Sequence, residues 1–378
     1  MTVTEHLTPT AVGGELPPLQ VSHRLDRLRA ALADCGCDSL VVANLTNVRY
    51  LTGFTGSAGL LLVTQNEALL TTDGRYRTQS SEQIADSGAH VEVHIVDAEP
   101  DGEVLRRLLG RPGTIGLESE TVSWSTQRRW AEELGADRLV PTIGVVAGLR
   151  LIKDSGEASR IRTACDIADR AFAEVRSRLG EGPTEIEFAL ELDARVRSLG
   201  ADDLSFDTIV ASGPNGAKPH HRPGDRRISE GDLVVCDFGA LVDGYHSDMT
   251  RAVAVGDVGP ERRNMLEVVL EAQNLGVLAV ADGVPASEVD ATCRQHIERA
   301  GLGETFVHST GHGVGLDIHE DPRLSVRSTA TLSAGFVVTV EPGVYVPGVG
   351  GVRIEDTVLV TEDGCDRLTL TPKDPVLI

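Results

Sequence analysis

Positive charge is in short supply in this chain. It carries 35 Lys and Arg residues against 57 Asp and Glu, for a net charge of −22. Nucleic acid and anionic membrane both repel such a surface, so neither is an expected partner. Long apolar runs are missing too: none approaches the roughly 18 residues that a membrane-spanning helix needs. The opening Met1-Thr-Val-Thr-Glu-His-Leu-Thr-Pro9 has no basic n-region and no apolar h-region, so no secretory signal is expected. The 6 cysteines are scattered, and only Cys35 and Cys37 lie close together. Cys-Gly-Cys is neither a Cys-x-x-Cys redox pair nor a zinc knuckle. Reduced, mostly buried thiols and a cytoplasmic location are the expectation. Several catalytic signatures are absent as well. There is no Gly-x-Ser-x-Gly elbow, no Gly-x-x-x-x-Gly-Lys-Ser/Thr loop and no His-Glu-x-x-His; His319-Glu320-Asp-Pro-Arg323 fails at its last position.

What is present is ordinary in bulk and unusual in detail. A length of 378 residues, 41% hydrophobic and 24% charged, fits a globular protein of two domains. Residues 1–20, with Gly13-Gly14 and Pro17-Pro18, read as a disordered lead-in. Residues 21–148 read as a small α/β domain. Leu25, Leu28 and Leu32 recur at helical spacing, and strands are expected at Leu40-Val-Val-Ala, Gly59–Val63, Ala68–Thr72 and Val91–Val96. Residues 149–378 open with a helix over 157–179, whose Ile161, Cys165, Ala168, Phe172, Val175 and Leu179 form one stripe. Thr184-x-x-Glu187 is a capping box for the next helix, to about Ser198. A second helix pair is expected over 261–281 and 286–300. Strands are expected at 204–211, 233–238, 245–255, 305–308, 316–319, 336–340 and 352–360. Two helix pairs, each followed by strands, predict an α+β domain with helices on one side of a curved antiparallel sheet.

Four carboxylates and one histidine in this second half stand where lone charges are expensive. Asp237 lies in the apolar run Leu233-Val-Val-Cys-Asp-Phe-Gly, and Glu341 ends Phe336-Val-Val-Thr-Val-Glu-Pro-Gly. Burying one carboxylate costs several kcal/mol, about 3 or more, unless something positive meets it. Asp237 and Asp248 bracket a hairpin with turn signals at Gly239 and Asp243-Gly244. Folded about Val242–Asp243, they would face each other directly, Cβ atoms about 5 Å apart. With His312 and Glu355 the set calls for a counter-charge of two divalent ions, and such dinuclear sites activate water. Glycines 311, 313 and 315 are expected to let the backbone approach a ligand. His308, His312 and His319 cluster in Val307-His-Ser-Thr-Gly-His-Gly-Val-Gly-Leu-Asp-Ile-His-Glu. His23, His90, His94, His246 and His296 stand alone and are read as structural. Strand alternation puts Arg353 and Glu355 on one face, so Arg353 is a clamp on a metal-bound aspartate or one half of a structural Arg–Asp pair. In Pro219-His220-His221-Arg222-Pro223, either histidine could face the site.

These residues carry a resemblance. Asp237, Asp248, His312, Glu341 and Glu355, in their order and motif context, resemble the ligands of the pita-bread metallopeptidase family, which contains methionine aminopeptidase, aminopeptidase P and prolidase. Asn44-Leu-Thr-Asn-Val-Arg-Tyr-Leu-Thr-Gly-Phe-Thr-Gly-Ser57 and Thr72-Asp-Gly-Arg-Tyr76 are similar to the creatinase/prolidase N-terminal domain. The resemblance implies that Asp248 and Glu355 bridge two metals, that Asp237 holds one ion, and that His312 with Glu341 holds the other. It implies that Glu341 takes the proton of the attacking water, that His220, His308 and His319 contact the substrate, and that Arg353 braces Asp237. His221-Arg-Pro departs from the family's commoner Pro-His-Gly. The intact ligand set separates the chain from creatinase, and the added N-terminal domain separates it from bacterial methionine aminopeptidase. What remains is hydrolysis of proline-containing peptides at the Xaa-Pro bond by a homodimer holding two divalent ions, Mn²⁺ first and Co²⁺ or Zn²⁺ as alternatives. Xaa-Pro aminopeptidase is placed first and Xaa-Pro dipeptidase second. A non-enzymatic binding protein and hydrolysis of a non-peptide C–N bond are the outlying readings.

Overall fold

A computed structural model describes residues 16–97 and 100–373. Residues 1–15 of the expected lead-in lie outside the described residues. The described chain forms two compact units, Pro18–Arg150 and residues 151–373 with residues 16 and 17.

The Pro18–Arg150 unit is built on six strands: β1 (Ser39–Val42), β2 (Leu60–Thr64), β3 (Ala68–Asp73), β4 (Glu92–Val96), β5 (Ile115–Glu118) and β6 (Leu139–Thr142). Their order is β4-β3-β2-β1-β5-β6. β1–β2 and β2–β3 pair antiparallel, and the outer pairs are parallel. Each expected strand lies within two residues of an observed one. The helix Leu45–Thr52 starts where the Asn44 side chain accepts from Thr46 N–H and stops at Gly53, whose φ of 80° closes a left-handed cap. Val41, Leu62, Leu69, Val104, Leu117 and Trp130 meet in this unit's core.

In the second unit, helices Ser155–Val175 and Glu185–Ser198 both begin with complete capping boxes, Asp154 with Glu157 and Thr184 with Glu187. Their apolar faces bury Ala168, Phe172, Phe188 and Leu192 against Val210, Val234, Cys236 and Phe238. Those last four belong to a sheet made of Ile209–Ser212, Leu233–Phe238 and Met249–Ala254. The second helix pair, Gly259–Leu278 and Ala286–Arg299, packs Leu266, Val269, Val289 and Ile297 against Val338, Val340, Val352 and Val358. Strands Gly311–Gly313, Glu320–Leu324, Val337–Val340, Asp356–Thr361 and Gly364–Arg367 form a five-stranded sheet beneath it. Every strand pairing in this unit is antiparallel among the described residues.

Three expectations need correction. Asp237 pairs with Thr250, not Asp248. Asp243 and Gly244 take φ of 45° and 73°, so they are both central residues of the turn, and Val242 pairs with Tyr245. Moving the turn by one residue shifts the register by two. Asp248 therefore keeps its face and sits diagonal to Asp237. Residues 305–308 and 316–319 are not strands. Gly303–Thr305 is a 3-10 turn, and Val307 is 65% exposed, so its apolar neighbours mimicked a buried alternation. Finally, the glycines at 311 and 313 serve the sheet. A Cβ on Gly311 would lie 2.0 Å from the Thr339 carbonyl oxygen, and one on Gly313 2.1 Å from that of Asp321.

Candidate metal centre

One cavity of about 670 Å³ in the second unit gathers every site residue picked from the sequence. Asp237 comes from the strand Leu233–Phe238, and Asp248 from just before Met249–Ala254. His312 is central in Gly311–Gly313, and Glu341 follows Val337–Val340. Arg353 ends Gly350–Arg353, and Glu355 precedes Asp356–Thr361. His220, His308 and His319 reach the same cavity from non-helical segments.

The electrostatics of this wall are unfavourable for a protein without cations. Burial, then the charges of Glu355, Asp237 and Glu341, push the Asp248 carboxyl well above the carboxylate range. Burial, then Glu341 and Asp237, do the same to Glu355. Burial lifts Glu341 to about 7 against the pull of Arg353. His312 is driven the other way, to about 3, by burial, so its ring is neutral at pH 7. Its Nδ1 lies 3.0 Å from the Gly313 carbonyl oxygen, which can only accept, so Nδ1 carries the hydrogen. The lone pair on Nε2 then faces Asp248 Oδ2 at 3.5 Å and Glu341 Oε1 at 3.4 Å. Neither contact is an ion pair, because a neutral imidazole with its proton on Nδ1 offers these oxygens nothing to bind.

A divalent cation resolves each of these conflicts. Asp237 Oδ1 and Glu355 Oε1 are buried with no hydrogen-bond partner among the described residues. The other oxygen of each is held: Asp237 Oδ2 accepts from Arg353 Nη2 at 2.6 Å, and Glu355 Oε2 accepts from Thr250 Oγ1 at 2.7 Å. Ligand atoms of Asp248, His312 and Glu355 lie within 4.8 Å of one another. Carboxylate oxygens with one imidazole nitrogen are a donor set for Mn²⁺, Co²⁺ or Zn²⁺. The residues present fit the metals that the sequence implied.

A directed polar chain stands behind the candidate ligands. Arg353 Nη1 donates to Tyr345 Oη at 2.8 Å, Tyr345 Oη lies 2.8 Å from His308 Nε2, and His308 Nδ1 lies 2.8 Å from the Ser309 carbonyl. The carbonyl fixes the His308 tautomer, so Tyr345 donates to Nε2. Arg353 Nε also donates to Thr250 Oγ1 at 3.1 Å, which joins the clamp on Asp237 to the one on Glu355. His319 packs edge-on against His312, ring centroids 4.4 Å apart. The two adjacent histidines differ. His221 Nε2 is engaged by Glu185 Oε2 at 2.8 Å, whereas the exposed His220 ring has no hydrogen-bond partner among the described residues. Sequence reasoning passed over Tyr345, Thr250 and Arg323. Alternation from Asp248 would have placed Thr250 on the site face. Arg323, on the cavity wall, has no ion-pair partner among the described residues.

Comparison with known proteins settles the family. The profile of metallopeptidase family M24 matches residues 159–362, and that of the creatinase/prolidase N-terminal domain matches residues 24–152. The chain belongs to metallopeptidase family M24. It is a metallo-exopeptidase of that family, with a creatinase-type N-terminal domain followed in the sequence by a pita-bread catalytic one. Among M24 proteins, the chain is 38% identical to the Xaa-Pro dipeptidase of Pyrococcus furiosus, over 94% of its own length and 99% of the relative's. A solved Xaa-Pro dipeptidase from Bacillus anthracis superposes with a TM-score of 0.90 at 40% identity, covering 94% of this chain and 99% of that one. A solved X-Pro aminopeptidase from Thermotoga maritima gives a TM-score of 0.82 at 36% identity, with 92% and 100% covered.

Proposed function

We propose that this M24 protein is an Xaa-Pro dipeptidase that holds two divalent ions, Mn²⁺ first, between Asp237, Asp248, His312, Glu341 and Glu355. The pair of buried, unpartnered carboxylate oxygens on Asp237 and Glu355 is the observation that carries the metal reading. When bound, the ions supply Lewis acidity toward water and the scissile carbonyl. The chain's own groups do the rest. Glu341 accepts the proton of the attacking water and returns it to the proline nitrogen, which cannot leave as an anion. That nitrogen belongs to a tertiary amide without N–H, so it offers the site no hydrogen to hold before that proton arrives. His220 and His319 donate N–H groups toward the substrate carbonyl, with His308 beside them. Arg353 holds Asp237 in its liganding orientation.

The sequence alone placed aminopeptidase ahead of dipeptidase, and two observations reverse that order. Dipeptidases predominate among the similar proteins that bear a named activity. Arg323, on the cavity wall without an ion-pair partner among the described residues, is a cation for the free carboxylate of a C-terminal proline. The aminopeptidase reading keeps the support of the Thermotoga maritima structure. Cleavage of an Xaa-Pro dipeptide and of Xaa-Pro-Yaa, each with EDTA and then with Mn²⁺, separates them. The dipeptide is expected to be cut, with activity lost on chelation and restored by Mn²⁺. Preferred cleavage of the tripeptide would reinstate the aminopeptidase, and no cleavage in any metal would reject both. The same resemblance implies a homodimer, which sedimentation at twice the chain mass would support. Free cysteines throughout the described structure accord with a reducing, cytoplasmic setting.

A further inference from the structure

The chain around His220 lies outside regular secondary structure. After the strand Ile209–Ser212 and the short turn Gly213–Ala217, no regular element appears until Leu233. Yet one side chain collects donors from both sides of His220. Glu185, the first residue of the helix Glu185–Ser198, is fully buried. Its Oε1 accepts from Ser212 N at 2.8 Å, Ser212 Oγ at 2.7 Å and Asn215 Nδ2 at 3.0 Å. Its Oε2 accepts from His221 Nε2 at 2.8 Å and Gly224 N at 3.2 Å. Its backbone N–H donates to the Arg226 carbonyl at 3.0 Å. Arg226 in turn pairs with Asp232 at 2.6 and 2.8 Å.

We infer that Glu185 is a positioning residue for His220: it staples residues 212–215 to residues 221–224 and so fixes the segment that carries the His220 ring to the cavity. The inference rests on the role proposed above for His220. A carboxylate suits the task because it only accepts, at both oxygens. Bonds to an ionised acceptor are about twice as strong as neutral ones. Arg353 Nη1 holds the Pro219 carbonyl at 3.3 Å, so His220 is pinned just before it by the metal clamp and just after it by Glu185. His221 is an anchor in this arrangement, and its carboxylate partner accounts for the departure from Pro-His-Gly. In Glu185→Gln one amide oxygen can still accept from Ser212. The amide NH₂ then faces Gly224 N–H, a donor that cannot change its role.

Steady-state kinetics on an Xaa-Pro dipeptide, with Mn²⁺-loaded wild type, E185Q, H220A and the double variant, test this. The expected loss in E185Q is about 10- to 100-fold in kcat, with KM within about threefold and metal content unchanged. The double variant should match H220A alone, because Glu185 would have nothing left to position. A kcat for E185Q within twofold of wild type, lost metal, or a multiplicative loss in the double variant would overturn the inference. Should E185Q fail to fold, H221A replaces it. A kcat loss in H221A that vanishes in the H220A background supports the inference, and wild-type turnover defeats it. Should wild type cleave no Xaa-Pro dipeptide, the proposed function fails on its own. The positioning is then read from NMR relaxation of the His220 ring: greater mobility in E185Q or H221A upholds it, and unchanged mobility refutes it.

Discussion

At Asp237 one carboxylate oxygen is committed to Arg353, and the other is buried with nothing among the described residues to donate to it. Glu355 repeats the pattern with Thr250. Each acid is thus oriented by the protein through one oxygen, and in the proposed site the second would take a cation. Asp248 offers a ligand atom within 4.8 Å of those of both His312 and Glu355, and in the proposed site it touches both ions. Asp248→Ala is therefore expected to abolish turnover and metal retention together, measured by peptide hydrolysis and elemental analysis of the same sample. Full activity in that variant would contradict its place in the site. His308 supports a prediction of a different kind. Burial lowers it from 6.5 to about 4. The unfolded chain binds a proton at this histidine near pH 6.5, and the folded chain only near 4. Its contribution to stability is complete above pH 6.5 and is lost as the pH falls toward 4. The loss is at most about 3 kcal/mol, and less where the cavity admits water. Urea titrations between pH 7 and 4 should show wild type losing more stability than His308→Asn. Parallel curves would mean that the ring titrates normally.

The elements that hold these residues were legible to different degrees, and the reason is local. Thr184-x-x-Glu187 and the Ile161-to-Leu179 stripe are short-range signals, and the helices stand close to where those signals put them, although the first gives way after Val175 to a 3-10 turn, Arg176–Glu181, that carries Leu179. The hairpin register was not legible. Asp243 and Gly244 both favour left-handed backbone, but the sequence does not say which two residues sit at the turn centre, and a shift of one moves every cross-strand partner by two. Parity survived the error, so Asp237 and Asp248 still share a face. The glycines at 311 and 313 were read as room for a ligand because their contacts are long-range. Only the fold reveals the carbonyls of Thr339 and Asp321 against them. Gly311→Ala tests that assignment at the scale of the strand. With Thr339 O 2.0 Å from the new Cβ, Gly311–Gly313 cannot keep its place beside Val337–Val340. His312 should then be displaced, and metal content should fall even though no ligand has changed. An Ala variant that retains full metal would return the glycines to a role at the ligand.

At the scale of the whole molecule, both tryptophans, Trp124 and Trp130, lie in the Pro18–Arg150 unit, while all five proposed ligands lie in the other. Trp130 is buried in that unit's core, so its emission reports whether the core is intact. A cation that binds only the folded catalytic unit stabilises it by about 2.7 kcal/mol at a concentration 100-fold above Kd. For a unit of this size, that corresponds to about 5–10 °C in Tm. Calorimetry with Mn²⁺ and then with EDTA should therefore show one transition moving down on chelation. The tryptophan fluorescence transition should stay where it was, because no group near Trp130 loses a ligand. Two transitions that move together would mean that the units unfold as one. No shift in either would mean that the acidic cavity is stable without cations, and the charge argument on which the metal centre stands would fail.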